Sequence, residues 1–157
     1  MLQDGTSPAS EQVIARCVQN KRDLVGQDEF DTGARMKLNL GHTFGHGIEA
    51  ISNFSVSHGK AVAIGMGIIS ASAYQIGLCS KETASRIKKI ILQFGFPTNI
   101  TYTASALIRQ ILSDKKRVGN NINLIFPVEI GSCQVIATPI AELQSILEAG
   151  LSSWTLL

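Results

Sequence analysis

All three histidines of this chain lie between positions 42 and 58. His42 and His46 are four residues apart, so on a helix they share one face, one turn above the other. His58 follows a break at SNFS (Ser52–Ser55) and stands just before the next apolar helix. An antiparallel helix pair there would fold it back beside the other two. Neutral imidazoles converging in this way suit zinc or a related divalent ion. The pattern is not the zinc-protease H-E-x-x-H motif, because position 43 is Thr. A histidine pair at this spacing also fits hydrogen-bonded polar residues at the edge of a core, and spacing alone leaves both readings open.

Cations able to hold an anionic substrate surround this cluster in sequence: Lys21, Arg35 and the pair Lys115–Lys116. On one continuous helix Arg35, Asn39, His42 and His46 form a polar stripe, and buried polar groups need partners. Ordinary surface polarity is the plainer account of each lysine. The constellation would provide a metal, an imidazole free for proton transfer, and cations for phosphate or carboxylate. Gly41, Gly45 and Gly47 fall in the same stretch. Each costs about 1 kcal/mol against alanine inside a helix, so together they point to close approach by another helix or a ligand. Gly65 and Gly67 make only a G-x-G in an apolar helix, which is weak evidence for phosphate binding.

The elements that must position these residues are mainly helical. A first helix is expected from Ser7, a cap followed by Pro8, to Val25, with Val13, Ile14, Cys17, Val18 and Val25 on its apolar side and Gly26 ending it. DEFDTG opens a second helix, Ala34 to about Ile51; an apolar helix follows from Gly59 to Gly77. Ser80 caps the next, whose stripe is Ile87, Ile90, Ile91 and Phe94, and FGFP stops it. A short helix over Ser105–Ser113 precedes DKKR. NINLIFP and SCQVIA flank VEIG as a β-hairpin, and a last helix spans about Ile140–Ala149. The fold class is therefore mainly α, a multi-helix domain with one small hairpin. No strand–helix–strand succession appears, so a Rossmann-type nucleotide domain is not encoded.

Composition excludes other classes. With 157 residues, 45% hydrophobic and 17% charged, the chain can bury the core of one domain. A formal charge of +2 argues against nucleic-acid and anionic-membrane partners. The run Ala61–Leu78 is long enough to be weighed as a membrane span, but its Gly, Ser and Gln residues and missing aromatic belts fit a closely packed core helix. The N-terminus carries no secretory signal pattern, and Cys17, Cys79 and Cys133 form no C-x-x-C. Buried, reduced thiols in a cytoplasmic protein are the expectation.

The segment KRDLVGQDEFDTGARMKLNLGHTFGHGIE, from Lys21, together with HGKAVAIGM from His58, resembles 3-dehydroquinate synthase of the shikimate pathway. The likeness extends through DKK and LIFPVEIG and covers that family's C-terminal, mainly helical domain. It implies conversion of a keto-sugar phosphate (DAHP) into 3-dehydroquinate and phosphate, with NAD and a divalent metal, usually zinc. By motif it implies that His42 and His58 are metal ligands and that His46 assists proton transfer near the substrate phosphate. It places Lys21, Arg35 and Asn39 at substrate-binding positions. Asn39 and one lysine of Lys115–Lys116 would face the phosphate.

Two departures stand out. Lys60 replaces the Glu of the family's HGEAVAIGM, and Gly47 replaces a common alanine. The resemblance also places the third metal ligand (a glutamate), an active-site lysine and the whole NAD-binding domain ahead of Met1. Residues 1–157 are therefore expected to form a single metal- and substrate-binding domain, inactive without an N-terminal partner domain and homodimeric when full length. The alternatives are a sister sugar-phosphate cyclase of the deoxy-inosose or valiolone type, or a non-catalytic helical module.

Overall fold

The computed structural model describes residues 8–30, 33–96, 101–113 and 119–154. It divides into two units, Met1–Leu38 and Asn39–Leu157.

In the first unit helix α1 spans Pro8–Gln27. The cap expected at Ser7 lies outside the described residues. The helix runs on past Gly26, because the Asp28 N–H still reaches the Leu24 carbonyl at 3.1 Å. Val13, Ile14 and Val18 on its apolar side are exposed. Cys17 is exposed with them and Cys133 is half-buried, so only Cys79 meets the expectation of buried thiols. Beyond α1 the Asp28 carboxylate accepts the N–H groups of Gly33 (2.7 Å) and Arg35 (3.1 Å), which pins the start of the next turn.

The single helix expected over Ala34–Ile51 is two pieces: a 3-10 turn, Ala34–Asn39, and helix α2, His42–Ile51. Gly41 separates them at φ +80°, a left-handed conformation that glycine adopts without steric cost. A Cβ there would also meet the Met66 nitrogen at 2.6 Å and the Val62 carbonyl at 2.7 Å. Arg35, Asn39, His42 and His46 therefore do not form one helical stripe. Only His42 and His46 share a helix.

Helix α2 ends where Asn53 and Phe54 turn to positive φ, with the Phe54 N–H bonded to the Glu49 carbonyl at 2.8 Å. Helix α3, His58–Gln75, starts four residues later and is the centre of the second unit. It packs against α2, against α4 (Lys81–Gln93), against strand β1 (Asn121–Glu129) and against α6 (Leu143–Trp154). Helix α5, Ala104–Ser113, packs on α2 and α6. The core joins Phe44 and Ile48 of α2, Ile68 and Ile69 of α3, Leu107 of α5, Leu124 and Phe126 of β1, and Leu147 of α6. Each such side chain contributes about 1.5–3 kcal/mol by leaving water. Ser70 and Ser72 are tolerated in this interior because they donate to Met66 O and to Ile68 O and Ile146 O. Among the described residues no helix is long and apolar enough to cross a membrane.

The Ser80 hydroxyl caps α4 by accepting from the Thr83 N–H at 3.1 Å. The stripe expected on this helix is only partly used: Ile91 is buried, but Ile90 and Phe94 are exposed. Strand β1 pairs antiparallel with β2, Ser132–Pro139, through a tight turn and an irregularity between Pro127 and Glu129. The last helix begins with a 3-10 turn, Ile140–Glu142, and continues to Trp154, five residues beyond the expected end. Trp154 extends it because its ring is buried against Ala71 and Ile91. Among the described residues the structure is thus mainly helical with one two-stranded sheet, as the sequence predicts.

Candidate metal and substrate site

The site is built where α2 and α3 meet. Their close approach follows from glycine: a Cβ at Gly45 would stand 3.0 Å from the Val62 Cα, and one at Gly65 would meet the backbone of Gly41 and Gly45. Gly47 makes room for the Ile111 side chain, and Gly67 for the Trp154 ring. The glycines therefore serve helix packing, including the G-x-G that reads weakly as a phosphate motif.

This packing brings His42, the first residue of α2, beside His58, the first residue of α3. Their ring centroids are 5.3 Å apart; His46 lies 5.7 Å from His42 and 5.8 Å from His58. The three imidazoles form a triangle, His42 half-buried and the other two exposed. Burial holds the His42 imidazole below the usual histidine pKa, and the charges of His46 and His58 push the same way; backbone groups of Leu40 and Asn39 partly oppose this. Its position at a helix N-terminus also disfavours the cation. A neutral imidazole is the form that binds a metal. His42 Nδ1 is buried and makes no hydrogen bond of good geometry, while the Leu40 and Asn39 backbone acts on the ring from nearby.

One consequence can be measured without metal. The NMR titration midpoint of His42 in the metal-free chain is expected below that of histidine in model peptides, about 6.5. In that window the unfolded chain binds more protons than the folded one. His42 therefore costs stability as pH falls through the unfolded value toward the folded one, and costs nothing above it.

A fourth residue joins the triangle. The Glu49 carboxylate lies 2.9 Å from His58 Nδ1, with 14% of its side chain exposed against 57% for His58. One ligand atom each from His46, Glu49 and His58 lies within 4.8 Å of the others. Glu49 is absent from the sequence-derived set, yet a signal for it exists. It stands three residues after His46 and seven after His42, on the same helical face.

The remaining expected site residues divide among three places. Lys21 and Arg35 belong to the first unit; Lys21 is exposed, and the Arg35 guanidinium donates to the Glu29 carbonyl at 2.8 Å. Asn39 begins the second unit and lines a small crevice with Thr43, Phe44, Ile69 and Leu124; no histidine lines that crevice, although the Asn39 backbone acts on the His42 imidazole. Lys115 and Lys116 lie outside the described residues. Lys60 is exposed in the first turn of α3, where a cation opposes the helix dipole, and nothing in the structure explains its presence.

Residues 1–117 match the family model described as 3-dehydroquinate synthase C-terminal. The chain belongs to the 3-dehydroquinate synthase family. It is 40% identical over 131 residues to the 3-dehydroquinate synthase of Clostridium perfringens (strain 13 / Type A), covering 82% of this chain and 37% of that one. To the 3-dehydroquinate synthase of Dictyoglomus thermophilum it is 43% identical over 117 residues, covering 74% and 33%. The chain thus spans about a third of the length of these curated relatives.

Two solved structures share the fold. A 2-epi-5-epi-valiolone synthase from Streptomyces hygroscopicus subsp. jinggangensis 5008, with NAD+ and Zn2+ bound, superposes with TM-score 0.81 at 21% identity, over 99% of this chain and 42% of that one. A 2-deoxy-scyllo-inosose synthase complexed with carbaglucose-6-phosphate, NAD+ and Co2+ gives TM-score 0.76 at 19% identity, over 88% and 41%.

Proposed function

We propose that this chain is the metal- and substrate-binding part of a 3-dehydroquinate synthase, a phosphate-eliminating cyclase that converts DAHP into 3-dehydroquinate and phosphate. The observation that carries the reading is the triangle of His42, His46 and His58 at the α2–α3 contact. Identity near 40% with relatives named 3-dehydroquinate synthase favours this substrate over those of the sister cyclases, which share only the fold.

In this reading His42 and His58 hold a divalent metal, zinc in the first instance. A metal there supplies Lewis acidity at a substrate oxygen, and NAD supplies reversible hydride transfer. His46, which is exposed beside both, moves a proton to or from the departing phosphate in this reading. Lys21, Arg35, Asn39 and Lys115 or Lys116 bind the substrate's carboxylate, hydroxyl and phosphate groups, and cations at the phosphate stabilise the charge that develops there. NAD and the remaining metal ligand come from the part of the family's architecture that this chain does not span. The assembled enzyme is a cytoplasmic homodimer with no nucleic-acid or membrane partner.

The test is reconstitution. This chain mixed with a separately produced nucleotide-binding part of a family member, with NAD, zinc and DAHP, is expected to release phosphate, and the chain alone is expected to release none. Two parts that co-elute yet give no turnover would overturn the assigned function. Turnover by the chain alone would overturn the division of labour.

A further inference from the structure

We infer that Glu49 is the positioning residue of this site: its carboxylate holds His58 as the Nδ1–H tautomer and so commits Nε2 to the metal. The inference rests on the reading that His58 is a ligand, and goes beyond it by assigning the group that prepares the ligand.

The argument is one of hydrogen-bond chemistry. His58 Nδ1 and Glu49 Oε2 are 2.9 Å apart. An ionised carboxylate only accepts, so the proton of that bond belongs to Nδ1. A neutral imidazole carries one N–H, which leaves the lone pair on Nε2. His58 needs such a partner more than His42 does. His42 is half-buried among packed backbone, whereas the His58 side chain is 57% exposed at the start of α3, where solvent leaves both ring orientations open. Glu49 is itself well placed to act as a fixed point. It sits in the last turn of α2, its side chain is only 14% exposed, and its own carbonyl anchors the Phe54 N–H that closes the helix. A carboxylate behind a ligating histidine fixes its tautomer and raises its basicity. Direct ligation by Glu49 together with His46 and His58 is the competing arrangement.

The two are separated with the full chain. In zinc-free protein at mildly alkaline pH, long-range 1H–15N NMR is expected to show His58 protonated at Nδ1. Glu49→Ala is expected to mix the tautomers, while Glu49→Gln, whose amide oxygen still accepts, keeps Nδ1–H. In zinc titrations Glu49→Ala is expected to weaken binding about 10–100-fold, with Glu49→Gln recovering most of the loss. Thermal melts report whether each variant folds, and Glu49→Gln keeps the test open if Glu49→Ala does not. His58 protonated at Nε2 in the unsubstituted chain would overturn the inference, as would a tautomer indifferent to Glu49→Ala. Glu49→Gln as damaging to zinc affinity as Glu49→Ala, with the tautomer intact, would make Glu49 a ligand instead. If His58→Ala leaves zinc affinity unchanged, the metal reading fails; the metal-free tautomer measurement still decides the Glu49–His58 pairing.

Discussion

Gly65→Ala is expected to lower the stability of the unit Asn39–Leu157 by about 2–3 kcal/mol, read as a drop in urea midpoint at unchanged slope. Alanine inside a helix ordinarily gains about 1 kcal/mol over glycine, so the sign depends on what the new methyl meets. At Gly65 it meets the Gly41 carbonyl and, at 2.8 Å, the Gly45 nitrogen. These two atoms are already bonded to each other at 2.8 Å as a hydrogen bond of the first turn of α2. Neither is the end of a side chain that could swing aside. The methyl must therefore push the start of α2 away from α3, and overpacking a rigid contact outweighs the propensity gain. Gly59 in the same helix is the control. A Cβ there meets nothing within 4 Å, so Gly59→Ala is expected to stabilise by about 0.5–1 kcal/mol. Because His42 opens α2, Gly65→Ala should also weaken zinc binding by separating His42 from His58.

That dependence explains how much of the site is legible in the sequence. The histidine triangle is readable because two residues four apart must share a helical face, and a short SNFS break before an apolar helix forces antiparallel return. The glycines are readable as close approach, although only the structure shows that Gly41 faces Met66 and Val62 while Gly47 faces Ile111. What periodicity misses is the interruption at Gly41. Arg35, Asn39, His42 and His46 are correctly spaced for one helix, but a single residue at φ +80° turns the chain and cancels the phase relation. Periodicity carries no information about the backbone angle of one glycine inside an otherwise helical stretch. Spacing passes over Glu49 for the opposite reason. Its spacing is right, but a lone acidic residue near a helix end reads as surface charge until the return of α3 sets His58 against it. Ile90 and Phe94 show the same limit in the core: apolar spacing marks a face that can be buried, and tertiary packing decides how much of it is.

His42→Ala and His58→Ala are each expected to reduce turnover of the reconstituted enzyme by roughly 10³-fold or more and to weaken zinc binding by the chain. The magnitude follows from the several kcal/mol that a Lewis acid contributes to transition-state charge stabilisation, at about 1.4 kcal/mol per tenfold. His46→Ala is the informative contrast. If His46 moves a proton rather than holding the metal, its loss should leave zinc affinity close to that of the parent chain and cost activity roughly 10²–10⁴-fold. The geometry makes this a demanding comparison, because His46 stands as near to His58 as His42 does, within half an ångström. Distance between rings therefore does not separate the roles, and the ligand atoms that converge within 4.8 Å of one another are those of His46, Glu49 and His58. For His42 stands its burial, which lowers its pKa and so favours the neutral form that a metal needs. His46 is exposed to solvent. Zinc affinity lost in His42→Ala and retained in His46→Ala would support that division. The reverse pattern would move the metal toward His46, Glu49 and His58, where this chain supplies three ligands of its own.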